Sequence, residues 1–328
     1  MSPRFIAGAT APPAGAYDAD VVILSLDRPA ETIEAIESTL AQTGVRRHVL
    51  ILDQGSRPEN LARVAAAVEG RPDATLVACE ENLGVPGGRN AASAFGHGRI
   101  IAGVDNDAAF ATAGSLAQAV MALDAEPGLA AIGFRILIDT TGEDDLSSWG
   151  YPSRLLPRAA EAFDATTFVG AGHAIRRAAW DDVGGYDASL FFCWEEFDFC
   201  LRAIERGWRI RYRGDIAVRH KVSSEQRIAW PAARWSRFVR NRLYVARKYG
   251  EAWPGIALRA AGYLVKGARN GLLQQTLQGL HAGLTATVPR QVLSWPAREY
   301  LAWHDTAHRG SLMRRIRREV LAALPGGM

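Results

Sequence analysis

Asp105-Asn106-Asp107 stands directly after an apolar run, and two carboxylates one residue apart on extended backbone point the same way, so both can face one cation. Hard oxygen donors in small number suit Mg²⁺ or Mn²⁺ that also binds substrate phosphates. The plainer alternative for the same triplet is a solvated turn. Trp194-Glu195-Glu196-Phe197-Asp198 packs three acids into five residues at a helix start, where negative charge is favourable. Its neighbours Phe191, Phe192 and Trp194 indicate a partly desolvated pocket, in which a carboxylate has a raised pKa and can act as general base. His220 follows a short strand; it is either structural or a third metal ligand from outside the Asp-Asn-Asp turn. Asp53-Gln54-Gly55-Ser56 is composed as a tight turn; its functional alternative puts the Asp53 carboxylate on the N–H of a pyrimidine base. In the stretch 82–90 (NLGVPGGRN), Gly87 and Gly88 permit close backbone approach to a ligand, and Arg89 is free to reach a phosphate.

These residues need a scaffold that brings them together. The run 20–26 (DVVILSL) has the β-branched character of a buried parallel strand, and Pro29 then opens a helical stretch over 31–41. A second strand over 48–52, a helix through Val68, a third strand over 75–78 and a fourth over 99–104 follow, with 82–90 as a loop leading into the helix between the last two. This alternation predicts an α/β domain with a mostly parallel sheet. Ligands of such sheets sit outside the strand carboxyl ends, where Asp27, Asp53 and Asp105 all fall. The polar section 140–164 reads as loop with Trp149 and Tyr151 exposed, 166–175 as strand and glycine turn, 194–206 as helix, and 216–218 as a last short strand. Beyond Trp230 the pattern is helical. Three parts are therefore expected: a flexible leader over 1–17, an α/β domain over 18–225, and a helical C-terminal extension over 226–328.

The chain has 328 residues, 48% hydrophobic and 22% charged, so a normal core can form. Cys79, Cys193 and Cys200 follow no metal-knuckle or CxxC spacing and are expected as free, buried thiols in a reducing compartment. No window reaches the length of a membrane span, and the leader lacks the pattern of a signal peptide; a cytoplasmic protein is expected, peripheral at the inner membrane face at most. The formal charge of +3 conceals a basic stretch over 202–248, which suits phosphates, anionic lipid or nucleic acid. A nucleic-acid binder leaves the acidic constellations without a use. A nicotinamide dehydrogenase needs GxGxxG after the first strand, where Leu26-Asp27-Arg28-Pro29 stands instead.

Taken together, VVILSLDRP, LDQGS, NLGVPGGRN, VDNDAAF, VGAGHAIRRAAWDDVGGYD, FFCWEEFDFCLRAIERGWRI and the final RH resemble the family 2 glycosyltransferases in order and spacing from residue 21 to 220. The resemblance implies the GT-A fold and an inverting transfer of a sugar from a nucleoside diphosphate, UDP- or dTDP-linked, onto a glycan or lipid-linked acceptor hydroxyl. It implies a donor site at Ser25, Asp27, Asp53, Gly88, Arg89, Asp105 and Asn106, with Asp53 on the base. Asp105, Asp107 and His220 would hold Mn²⁺ or Mg²⁺. Glu196 stands where the family usually has the aspartate that deprotonates the acceptor, with Trp194, Glu195 and Asp198 on the acceptor side or supporting it. Ser25-Leu26-Asp27 stands where Thr-Tyr-Asn is frequent, which leaves the choice of nucleotide open. The Trp- and Arg-rich tail is similar to that of rhamnosyltransferases acting on cell-surface polysaccharides. Trp235, Trp253, Trp295 and Trp303, with Arg314, Arg315, Arg317 and Arg318, suit an anionic membrane surface or a homodimer interface; no nucleic-acid partner is expected. A catalytically inactive sugar-nucleotide binder is the alternative, against which the intact acids argue.

Overall fold

The computed structural model describes residues 3–221, 232–311, 313 and 320. The expected boundary near 225 and the arginines 314, 315, 317 and 318 lie outside the described residues. The first unit alternates as its sequence pattern requires: β1 (Arg4–Gly8), β2 (Ala19–Ser25), α1 (Pro29–Leu40), β3 (Arg47–Gln54), α2 (Pro58–Val68), β4 (Ala74–Cys79), α3 (Gly84–Ser93) and β5 (Ile100–Val104). The second half adds β6 (Ala108–Phe110), α4 (Ser115–Ala125), β7 (Leu129–Ile138), β8 (Ala162–Ala165), β9 (Gly172–Arg176), α5 (Arg177–Val183), α6 (Glu195–Glu205) and β10 (Arg209–His220). Four helices follow: α7 (Ala232–Lys248), α8 (Trp253–Arg269), α9 (Leu273–Thr285) and α10 (Trp295–His304). Among the described residues, no helix is long and apolar enough to cross a membrane.

One sheet runs through the molecule in the order β1-β4-β3-β2-β5-β9-β7-β10-β6, with β8 on β10. Its first half is parallel across β4, β3, β2 and β5, as the buried β-branched runs demand. Beyond β5 it turns mixed, because β9 runs antiparallel to both β5 and β7. Two reversals restore direction, so β7 and its parallel partner β10 end at the same edge as β5. That edge therefore collects Asp105 after β5 and His220 at the end of β10, although 115 positions of chain separate them.

Four readings of the sequence change. The leader is not wholly flexible, since Arg4–Gly8 pairs antiparallel with β4 and Tyr17 is buried with its hydroxyl on Asp20 Oδ1 at 2.5 Å. Gly84–Ser93 is itself helix, where loop was expected from its glycines. The section 140–164 contains two 3-10 turns, and its aromatics are not exposed: Tyr151 is buried and Trp149 half-buried, within 5.1 Å of each other and packed with Phe163 and Tyr212. The last strand is twelve residues long, of which only the apolar triplet 216–218 near its end was legible.

α7 joins the two parts. Its Trp235, Val239 and Leu243 form a core with Ile256 of α8 and Leu280 of α9. Gly279 and Gly283 let α9 lie flat on α7, because a Cβ at either would overlap the α7 backbone at Ser236 O or Arg240 O.

Candidate active site

β2 and β3 pair in register, placing Ser25 opposite Asp53. Ser25 Oγ donates to Asp53 Oδ2 at 3.0 Å and Ser56 Oγ to the same oxygen at 2.5 Å, while the amides of Gly55 and Ser56 reach Oδ1 at 3.2 and 2.9 Å. Asp53 is thus buried and engaged by four donors, as a tight turn uses such a residue; a nucleotide base would have to replace one of them. Asp27 stands at φ 51° and accepts from the Arg57 amide and Asn60 Nδ2, both at 2.8 Å, so it holds the start of α2. Gly88 permits a close approach, but to the sheet: a Cβ there would lie 2.8 Å from Gln54 Oε1. Asn106 donates to Thr32 Oγ1 of α1 at 3.3 Å.

The backbone does not stay extended through Asp105-Asn106-Asp107. It turns, with the Ala108 amide on Asp105 O at 3.0 Å, so the alternation argument fails and the carboxylates take different partners. Arg89 Nη2 donates to Asp105 Oδ1 and to Gly170 O, both at 2.8 Å. Arg89 is not free to swing toward a phosphate, as its sequence context suggested: it is only 3% exposed. Its Nε and Nη1 nevertheless have no hydrogen-bond partner, and buried donors left unmade are costly.

Asp107 meets Arg28 Nη1 at 2.7 Å through Oδ2 and His220 Nε2 at 3.4 Å through Oδ1. His220 Nδ1 lies 3.1 Å from Asp145 Oδ2. Burial opposes charge on the imidazole, but hydrogen bonds and charges from Asp107 and Asp145 prevail and its pKa is pushed up to about 10. Burial likewise raises Asp107, and His220 and Arg28 outweigh it, bringing that carboxyl down to about 2. Among the described residues, no three His, Cys, Asp or Glu side chains form a ready metal cage. A small divalent ion completed by phosphate oxygens needs only one or two protein donors. Asp107 supplies a carboxylate, and His220 would supply an imidazole nitrogen once a cation displaced its Nε2 proton, with Asp145 behind the ring orienting it as carboxylates do behind metal-bound histidines. The donor set fits Mn²⁺ or Mg²⁺.

The acids of α6 lie near Arg89 and Asp105. Glu196 is half-buried against Gly170, where a Cβ would overlap its Oε1 and lie 3.5 Å from Arg89 Nη1. Burial raises the Glu196 pKa; Arg89 opposes this and Asp105 adds to it. Glu195 is buried, its Oε2 has no partner, and burial followed by the charge of Glu196 pushes its pKa well above the ordinary value. Asp198 is fully buried on Arg202 at 2.9 Å, Lys248 at 2.7 Å and the Tyr249 hydroxyl at 3.0 Å, which makes it a packing group. Trp194 packs toward the extension, its Nε1 donating to Phe238 O of α7 at 3.1 Å. Sequence reasoning missed Arg28, Asp145 and Gly170. The signal that could have found Asp145 is the Asp-x-Ser-Ser pattern of a turn cap: it accepts from the Ser147 amide at 3.0 Å.

The parallel half-sheet thus carries carboxylates after its strands, and Glu195 and Glu196 at the start of α6 act on Arg89 and are acted on by Asp105. The sequence pattern described as glycosyl transferase family 2 matches residues 20–184, half of the chain. The chain belongs to this family and is a glycosyltransferase; Glu195, Glu196 and His220 lie beyond the matched stretch. It is 37% identical to the succinoglycan biosynthesis protein ExoO of Rhizobium meliloti (strain 1021) over 90 residues, 27% of this chain and 25% of that protein. The chain thus matches about a quarter of that relative's length. Its fold is similar to that of the mannosyltransferase PcManGT from Pyrobaculum calidifontis in complex with GDP-Man and Mn²⁺: TM-score 0.57 at 20% identity, covering 95% of this chain and 87% of that one. GalNAc-T7, solved with UDP, GalNAc and Mn²⁺, gives 0.59 at 13% identity, covering 94% of this chain and 59% of that one.

Proposed function

We propose that this glycosyltransferase transfers a sugar from a UDP- or dTDP-linked donor to an acceptor hydroxyl with inversion at the anomeric carbon, in synthesis of a cell-surface polysaccharide or glycoconjugate. The observation that carries the reading is the convergence of Arg89, with unspent buried donors, Asp105 and Glu196 around Gly170. Asp107 and His220 would hold Mn²⁺ or Mg²⁺, which when bound offsets the negative charge developing on the leaving diphosphate. Arg89 orients the donor indirectly, by holding Asp105 Oδ1 and Gly170 O in place. Glu196 takes the acceptor proton as that oxygen attacks the face of the sugar opposite the diphosphate. A single displacement needs no enzyme nucleophile, and Cys193, the thiol nearest these acids in sequence, suits none: burial, then Glu195 and Glu196, push its pKa well up. The GDP-Man and UDP carried by the two similar structures support a nucleotide donor. The extension would dock the enzyme at the inner membrane face, near a lipid-linked acceptor.

The test is a thermal-shift series with nucleoside diphosphates and their sugars, with and without Mn²⁺. Ligand at 100-fold its Kd stabilises by about 2.7 kcal/mol, enough for a clear shift. Cation-dependent shifts that vanish in Asp107→Ala are expected. No shift with any nucleotide, cation present or absent, would sink the reading.

A further inference from the structure

The four residues that carry Glu195 and Glu196 into the site have an uncommon backbone. Phe191, Cys193 and Trp194 stand at φ 58°, 69° and 74°. These are left-handed conformations that residues with a Cβ rarely adopt, and the segment contains no glycine to relieve them. Such a segment persists only where its surroundings over-determine it.

The surroundings come from α3, whose Val85 amide donates to Phe191 O at 2.8 Å, and above all from α7. Asn241 is 1% exposed and its Nδ2 donates to three carbonyl oxygens of this segment and its approach: Leu190 at 2.7 Å, Phe192 at 2.8 Å and Cys193 at 3.1 Å. Two N–H bonds are shared among three acceptors whose oxygens the left-handed turns have gathered on one side. The other end of the amide is fixed by Arg240 Nη1, which donates to Asn241 Oδ1 at 2.8 Å, so the donor end faces the loop. A carboxylate at this position would repel all three oxygens, and an apolar side chain would remove this donor from Phe192 O and Cys193 O, while Leu190 O keeps the Phe192 amide at 2.6 Å. The Arg237 and Arg234 guanidiniums lie over the Phe191 and Phe192 rings, 4.1 and 4.4 Å from their centroids.

We infer that Asn241 is a positioning residue for the catalytic base: α7 of the helical extension completes the active site by clamping the strained segment that aims Glu196. The inference rests on reading Glu196 as the base. It makes the extension part of the catalytic machinery, although Asn241 lies far outside the stretch that defines the family.

The experiment compares Asn241→Ala, Glu196→Gln, the pair of both, and Asn241→Ala with Cys193→Gly. Each is assayed for melting temperature, donor Kd, and acceptor KM and kcat well below its melting point. Asn241→Ala should keep its donor Kd and lose roughly 10–100-fold in kcat, the scale of a misplacement near 1 Å. Combined with Glu196→Gln it should be no slower than Glu196→Gln alone, because both act on one step. Cys193→Gly supplies a residue that adopts positive φ freely, so it should recover much of the lost kcat. A merely structural asparagine would lower the melting temperature without this rescue. Should Asn241→Ala not fold, Asn241→Ser, a donor of shorter reach, takes its place in every comparison. Wild-type kcat in the folded Asn241 variant, or losses that multiply in the pair, would overturn the clamp while an inactive Glu196→Gln kept the base. Wild-type turnover in Glu196→Gln would instead remove the base reading itself.

Discussion

Glu196→Gln keeps the reach of the side chain and removes its ability to take a proton. Donor affinity should survive while turnover falls about 10²–10⁴-fold, the usual worth of general-base catalysis, and product formation beside nucleotide binding measures both. Since burial raises the Glu196 pKa, wild-type kcat should begin to fall, on acidification, above the ordinary glutamate range. Glu195 offers a separate test through stability. A carboxyl whose folded pKa exceeds its unfolded one leaves the fold unpenalised below the unfolded value, and stability is lost as pH rises from there through the folded value. Glu195→Gln should therefore melt higher than wild type at neutral pH, by roughly 2–4 °C for each kcal/mol recovered, and the gap should close as pH falls to the ordinary glutamate range. An equal melting temperature at all pH values would count against a strained carboxylate there. The acids, Arg89 and His220 were legible as single residues because their types and neighbours announce chemistry. Their partners were not: Asp145 meets His220 across 75 positions and Arg28 meets Asp107 across 79, through strand adjacencies that no local pattern records.

Lys248, at the end of α7, places its ammonium 2.7 Å from Asp198 and 3.1 Å from Asp187, and it is 3% exposed. Asp198 keeps Arg202 and Tyr249 when the ammonium is removed. Lys248→Met should therefore cost about 1–3 kcal/mol in urea unfolding, the scale of lost hydrogen bonds to charged groups. Adding Asp198→Leu should cost more, because it strands the buried Arg202. If the single variant cost less than about 1 kcal/mol, α7 would not be fastened there. Period and punctuation had disclosed most elements: Pro29 and Pro58 open α1 and α2, and the β-branched runs became β2, β3 and β5. The misread ones share a cause. α3 begins on glycines that propensity disfavours, yet Gly84 leaves room for the Phe191 carbonyl and Gly88 for Gln54, so tertiary contact overrides the local signal. β10 is lengthened by charged residues whose register comes from β7, not from its own alternation.

Charge is divided very unevenly across the molecule. Residues 226–328 carry seventeen Lys and Arg against four Asp and Glu, while the remainder is net acidic. On α8, Trp253, Leu258 and Val265 are exposed, and Arg269 is the one charged residue among the exposed positions of that helix. An apolar helix face within a basic unit suits an anionic bilayer surface. The protein should sediment with phosphatidylglycerol-containing vesicles at low salt, less so at high salt, and Leu258→Glu with Val265→Glu should weaken binding at least about tenfold. No sedimentation at either salt, with a dimer in analytical ultracentrifugation, would assign the face to self-association. A different property of the whole follows from the short strand Arg4–Gly8. It caps the rim of the sheet, is only five residues long, begins with an arginine and is irregular between Phe5 and Ala7, all of which discourage a further strand from adding on. Beneath it, β4 reads ATLVAC, uncharged and apolar but for Thr75. A protein shortened by its first nine residues would keep every group of the catalytic centre and present that strand bare. Light scattering on storage should rise steeply in the shortened form while fresh specific activity stays the same, so the cost of trimming this terminus is solubility rather than chemistry.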